Sequence, residues 1–171
     1  RRGRVSFRIR EAEPGDASEL VALAREVSSE PEDWLLAAAE WRSVSAERRY
    51  LRSARRSPHA AVFVAEAPEG LVGRLSVSRD VHPASRHVAD LGLMVAASHR
   101  RQGIGRALLE RTVEWSRANS VRKLELHVFA HNAPAIALYE SFGFVQEGYR
   151  RLHYRRDGTY FAGGTIRLDL I

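Results

Sequence analysis

Cysteine is absent from the 171 residues. That removes a disulfide framework, a thiolate zinc site and a cysteine nucleophile, and it fits a cytoplasmic location. Lysine occurs once, at Lys123, so the other cations are arginine and the formal charge is +6. Basic chains draw phosphate-bearing partners, nucleic acid among them. Here the arginine skew runs through the whole chain rather than one patch, and the aromatic–basic interleaving of a single-strand binder is missing. Nucleic acid is therefore not an expected partner. No apolar run approaches the roughly 18–20 residues of a membrane helix, so a membrane is not expected either. The opening "RRGRVSFRIREAEPGD" lacks the long apolar segment of a secretory signal. No His/Asp/Glu spacing suggests a metal site. Linkers, repeats and low-complexity stretches are also lacking. With 44% hydrophobic residues, the length suits one domain, 1–171, around its own core.

What is present alternates between the two hydrophobic periods. "VSFRIREA" (5–12) reads as a strand. Asp16 and Glu19 form a capping-box pattern ahead of Leu20, Leu23, Ala24 and Val27. Pro31 opens a second helical stretch, and Ser45 caps a third that ends near Pro58. Arg48, Arg52, Arg55 and Arg56 share one side of that third helix, either a solvated face or a docking surface for an acidic group. Strands at 60–67 and 71–80 flank a "PEG" turn, and another strand covers 87–95. A helix runs to about Asn119 with Ile104, Leu108, Leu109, Val113 and Trp115 as its apolar stripe, followed by a strand at 121–129. Asn132 caps a helix closed by Gly143, and two final strands meet at Asp157-Gly158, with Gly163-Gly164 marking a bulge. The order predicts an α/β (α+β) fold with a mixed, mostly antiparallel seven-stranded sheet flanked by helices.

Two stretches carry chemistry. In "SHRRQGIGRALL" (98–109), a strand feeds a loop with Gly103 and Gly105 and then a helix. N–H groups at a helix start are unpaired, the macrodipole adds positive character, and glycine lets a ligand approach the backbone. This is an anion site suited to a pyrophosphate, with Arg100, Arg101 and Arg106 adding charge. It is neither a P-loop nor a dinucleotide fingerprint. In "NAPAIALYESFGF" (132–144), Asn132 and Tyr139 lie two turns apart on one helix face. Tyr139 also fits an ordinary core tyrosine, and Asn132 a plain cap.

"VAASHRRQGIGRALLERTVEWSR" followed by "LELHVFAHNAPAIALYESFGF" resembles the acetyl-CoA half of the GNAT superfamily of N-acetyltransferases, most closely over 88–150. The resemblance implies a GNAT-like acyl-CoA acyltransferase fold. It implies backbone contacts from Leu93, Met94 and Val95 to the pantetheine arm, and a pyrophosphate held by Arg100, Arg101, Gln102, Gly103, Ile104, Gly105 and Arg106. Asn132 matches a CoA contact, and Tyr139 the acid that protonates the departing thiolate. A base must take a proton from the amine. His127 is the first candidate, since an imidazole titrates near neutrality; Asp90 and Glu125 follow. The segment is similar to ribosomal-protein alanine acetyltransferases, where a glutamate aligns with His127. The ending "EGYRRLHYRRDGTYFAGGTIRLDLI" resembles GNAT members that acetylate amino acids or related small amines, without the carboxylate many of them carry after the residue matching Tyr160.

The implied activity is acetyl transfer from acetyl-CoA to a primary amine of an amino acid or other small molecule. The alternatives are a protein N-terminal or lysine acetyltransferase and a non-catalytic CoA-binding regulator. The cofactor is expected between the strands at 88–95 and 121–129, and the acceptor opposite, walled by the helices at 31–57 and the closing hairpin. His82, His87, His99, His131 and His153 read as surface or loop residues. Dimers are frequent in the family.

Overall fold

The computed structural model describes residues 6–32, 34 and 41–171. Seven strands form one sheet in the order β1-β2-β3-β4-β5-β7-β6. They are β1 (Arg8–Glu11), β2 (Ala60–Ala67), β3 (Gly70–Arg79), β4 (Val88–Val95), β5 (Lys123–Phe129), β6 (Val145–Arg156) and β7 (Thr159–Asp169). Every neighbouring pair is antiparallel except β4 and β5. The helices among the described residues are α1 (Ala17–Ser28), α2 (Val44–Arg56), α3 (Ile104–Ala118) and α4 (Ala133–Phe142).

Adjacent residues of β3 show which helices cover which face. A Cβ on Gly73 would touch Ile104 and Leu108 of α3, whereas the guanidinium of Arg74 bonds Glu47 of α2 at 2.9 Å. Strand neighbours point to opposite faces, so α3 lies on one face, and α2, packed with α1, on the other. The predicted stripe of α3 buries Ile104, Leu108 and Leu109, while Val113 and Trp115 stay half-exposed. Thr112 and Ser116 are fully buried instead. Their hydroxyls donate to the carbonyls of Leu108 and Thr112, at 2.9 and 2.7 Å, so neither is left unsatisfied.

Three local expectations change. Asp16 and Glu19 do not form the box: the Glu13 N–H donates to Asp16 at 2.7 Å, and Asp16 also receives Arg10 at 2.8 and 2.9 Å. Glu19 reaches out to accept the Leu71 N–H at 3.1 Å. The cap of α2 is Ser43, not Ser45, because the Ser43 side chain accepts the Ala46 N–H at 3.2 Å. The bulges fall on β6, between Gln146 and Gly148 and between Arg150 and Tyr154, not at Gly163-Gly164. Gly163 is small because the Tyr154 ring occupies the space a Cβ would fill. The helical stretch expected from Pro31 lies mostly outside the described residues.

Other punctuation agrees with the sequence reading. Asn132 accepts the Ala135 N–H at 3.3 Å, and Gly143 closes α4 with φ 118°. Asp157 and Gly158 both have positive φ, 49° and 79°, at the β6–β7 turn. Arg48, Arg52, Arg55 and Arg56 are all exposed, and Arg55 also donates to the Ala12 carbonyl at 3.2 Å. No helix among the described residues is long and apolar enough to cross a membrane.

Candidate active site

The parallel pair at the middle of the sheet is short. Val88, Ala89 and Asp90 pair with Lys123, Leu124 and Glu125, and pairing stops there. β4 continues to Val95 against β3 alone. Beyond Asp90, the backbone groups of β4 on the side of β5 therefore have no ladder partner. The two strands diverge, and a cavity of about 550 Å³ opens there.

One end of this cavity is the start of α3. Gly103 is the N-cap, with φ +87°, a conformation other residues adopt at a cost. Ala107 donates to Gly103 at 3.0 Å as the first helical bond, so the N–H groups of Ile104, Gly105 and Arg106 lack a helical acceptor. Arg101, with φ 61°, turns the loop so that these groups converge. Gly105 serves packing: its Cβ would lie 2.6 Å from Leu138 of α4.

The arginines divide. Arg100 lines the cavity beside the helix start, but its guanidinium is held by both oxygens of Glu30 at 2.6 and 2.7 Å, with its Nε on the Val95 carbonyl at 3.1 Å. Arg106 donates to the Ser141 carbonyl at 3.2 Å and lies over the Phe142 ring. Arg101 is exposed and makes no ion pair or side-chain hydrogen bond among the described residues, which leaves its charge for a ligand. Gln102 is exposed and does not line the cavity.

Leu93, Met94, Val95, Asn132 and Tyr139 line the same cavity. Asn132 uses its carbonyl oxygen for the cap, leaving its amide to donate. Tyr139 is 5% exposed and packs edge-on against Phe144 at 5.5 Å. Burial pushes its phenol well above the ordinary value, so it holds its proton across the physiological range.

The three base candidates stand at the closed end of the divergence. Register places Asp90, Glu125 and His127 on the face that carries Arg74, away from α3. His127 Nε2 is 3.6 Å from Asp90, and its Nδ1 is buried without a hydrogen-bond partner among the described residues. Burial raises the pKa of Asp90, and Glu125 adds to the rise while His127 opposes it. Glu125 leans toward Lys123 at 3.7 Å.

Two residues were missed in the sequence. Trp34 lines the cavity, fixed by its Nε1 to Glu30 at 3.1 Å and stacked on His131 at 6.0 Å. His131, expected as a bystander, stacks in turn on Phe129 at 5.0 Å and packs against Phe161 at 5.6 Å. The tryptophan gave no sign of this, because its stacking partner His131 lies about a hundred positions away.

A sheet parted at its one parallel pair, with an anion-binding helix start on one side and a protonated phenol within the gap, is built to hold a long anionic cofactor threaded between strands. Such an arrangement defines the class of acyl-transfer enzymes that work on a carrier thioester. The chain belongs to the Acetyltransferase (GNAT) family, whose model matches residues 23–144. It is similar to the L-amino acid N-acetyltransferase AaaT of Escherichia coli K12, 36% identical over 94 residues that make up 53% of this chain and 56% of that protein. The ribosomal protein bS18-alanine N-acetyltransferase of the same organism is 47% identical over 62 residues, 36% of this chain and 42% of the relative. The matched part thus spans about half the length of these relatives. Among solved structures, a GNAT acetyltransferase from Streptococcus pneumoniae superposes with a TM-score of 0.87 at 29% identity, covering 96% of this chain and 99% of that one.

Proposed function

We propose that the chain transfers the acetyl group of acetyl-CoA to the primary amine of an amino acid or other small molecule. The observation that carries this reading is the meeting, in one cavity, of the free edge of β4, the N–H groups at the start of α3, and Tyr139. The pyrophosphate would rest on Ile104, Gly105 and Arg106, with Arg101 and Gln102 at its rim. The pantetheine arm would pair with Leu93, Met94 and Val95, and the Asn132 amide would donate to it.

The acceptor must be neutral to attack. His127, with Asp90 beside it and Glu125 next in line, takes the amine proton as nitrogen bonds to the thioester carbon. The C–S bond then breaks, and the thiolate takes the proton of Tyr139. Burial keeps the phenol protonated until the thiolate leaves; the same burial makes it a weaker acid, so the role rests on its place in the cavity and not on its pKa.

The similarity to AaaT supports an amino-acid acceptor, while that to the bS18 enzyme supports a peptide N-terminus. Thiol release from acetyl-CoA, screened against amino acids, polyamines, aminoglycosides and peptides, separates the two. Absence of thiol release with every acceptor, together with no rise in Tm on adding acetyl-CoA, would sink the proposal.

A further inference from the structure

The anion loop and the opposite wall of the cavity share one carboxylate. Glu30 lies just past the end of α1, with its side chain 16% exposed. Both of its oxygens accept from Arg100, and Oε2 also accepts from Trp34 Nε1 at 3.1 Å. With its Nε on Val95, Arg100 uses three N–H groups in these contacts. A guanidinium has five, so two remain for an incoming anion. From Trp34 the contacts continue through His131 to Phe129, which shares the sheet face of His127 and Asp90.

We propose that Glu30 is a positioning residue that couples occupancy of the anion loop to the placement of Trp34 on the acceptor side. The coupling rests on the acetyl-CoA reading of the cavity. A pyrophosphate beside Arg100 competes with Glu30 for the same cation, and Oε2 is the atom that also holds the indole. A change in the Arg100–Glu30 pair is therefore a change in what fixes Trp34. Linkage makes the effect reciprocal: an acceptor that packs on Trp34 alters anion affinity by the same factor. The pair is only part-exposed, so solvent screens it less than it would an open surface pair. Seventy positions separate Arg100 from Glu30, so the relay belongs to the fold and not to the motif.

The probe is the nucleotide half of CoA, adenosine 3′-phosphate 5′-diphosphate, which carries the pyrophosphate but no arm to reach the indole. The Trp34 component of the fluorescence is isolated by difference from Trp34→Phe. In the native chain this component shifts as the probe saturates the loop. In Glu30→Gln the probe still raises Tm, but most of the Trp34 shift is lost. Arg100→Lys, which keeps the charge but not the two-pronged contact, shows the same loss and serves if Glu30→Gln folds poorly. A Trp34 component that stays constant in the native chain, or that shifts equally in the native chain and both variants, overturns the coupling. If neither the probe nor acetyl-CoA stabilises the native chain, the acetyl-CoA reading fails first and the coupling with it.

Discussion

The carboxylate of Asp90 and Nε2 of His127 stand 3.6 Å apart, at the last rung that joins β4 to β5. The distance suits a charge pair but is long for a hydrogen bond. The buried Nδ1 of His127 has no hydrogen-bond partner among the described residues. His127→Ala is expected to flatten the rising limb of the pH–rate profile. A limb that keeps its position would move the role to Asp90, Glu125 or water.

Asp90 gives a stability prediction with a definite sign. Burial raises its pKa in the folded chain. Between the ordinary carboxylate value and the raised one, the folded state binds more protons than the unfolded state, so stability falls as pH rises through that window. Above it, the ionised carboxylate is a standing cost. Asp90→Asn should therefore raise Tm at neutral pH, and the gain should shrink as the pH falls through the folded pKa of Asp90 and vanish below the ordinary carboxylate value. A gain that persists in acid would assign the effect to packing instead.

Tyr139→Phe tests the acid step. The hydroxyl has no hydrogen-bond partner among the described residues, and the ring contact with Phe144 survives the change. Acetyl-CoA should therefore stabilise the variant about as well as the native chain. Loss of a positioned proton donor should lower kcat by about 10²–10⁴-fold. Unchanged turnover would return Tyr139 to the core as an ordinary packed residue.

The order of elements was legible because each carries its own local signal. Alternation marks β1 and β5, Asn132 and Gly143 bracket α4, and Asp157-Gly158 makes its turn with both residues at positive φ. The anion loop was legible for the same reason, since glycines beside a helix start act locally. What stayed hidden is contact at a distance. Ser43 and Ser45 are equally good caps in sequence, and only the path of the chain into α2 selects Ser43. Arg100 reads as a free ligand for phosphate until the fold brings Glu30 beside it to share the guanidinium. The bulges in β6 have no glycine signature between Arg150 and Tyr154, because they answer to register with β7 and not to local conformation.

Gly103 and Gly105 are two positions apart and should fail differently. Gly103 has open space where a Cβ would go but a φ of +87°. Gly103→Ala should therefore cost about 1–2 kcal/mol through the backbone alone. Gly105 lies inside α3, and a side chain there drives into Leu138, which lines the cavity on α4. Gly105→Val should cost about 1–3 kcal/mol by overpacking and should weaken CoA by shifting Asn132 and Tyr139. Denaturant melts and CoA titrations distinguish the two. Equal CoA affinity in Gly105→Val and the native chain would show that Leu138 yields without moving α4.

Glu47 offers the largest expected effect. Its carboxylate is fully buried and accepts from Arg74 at 2.9 Å and Arg42 at 3.0 Å, with Trp41 and Tyr50 beside the two guanidinium groups. Burial lowers the pKa of Arg74, and Glu47 is the group that opposes this. In Glu47→Gln the buried cation loses its counter-charge, while the shape of the site is kept. Removing one partner of a buried pair typically costs about 3–5 kcal/mol, because the other charge remains in a poorly solvating interior. Glu47→Gln with Arg74→Met should recover much of the loss, since no buried charge is then stranded. A double variant no better than Glu47→Gln alone would mean that Arg42, not Arg74, is the partner that needs the carboxylate.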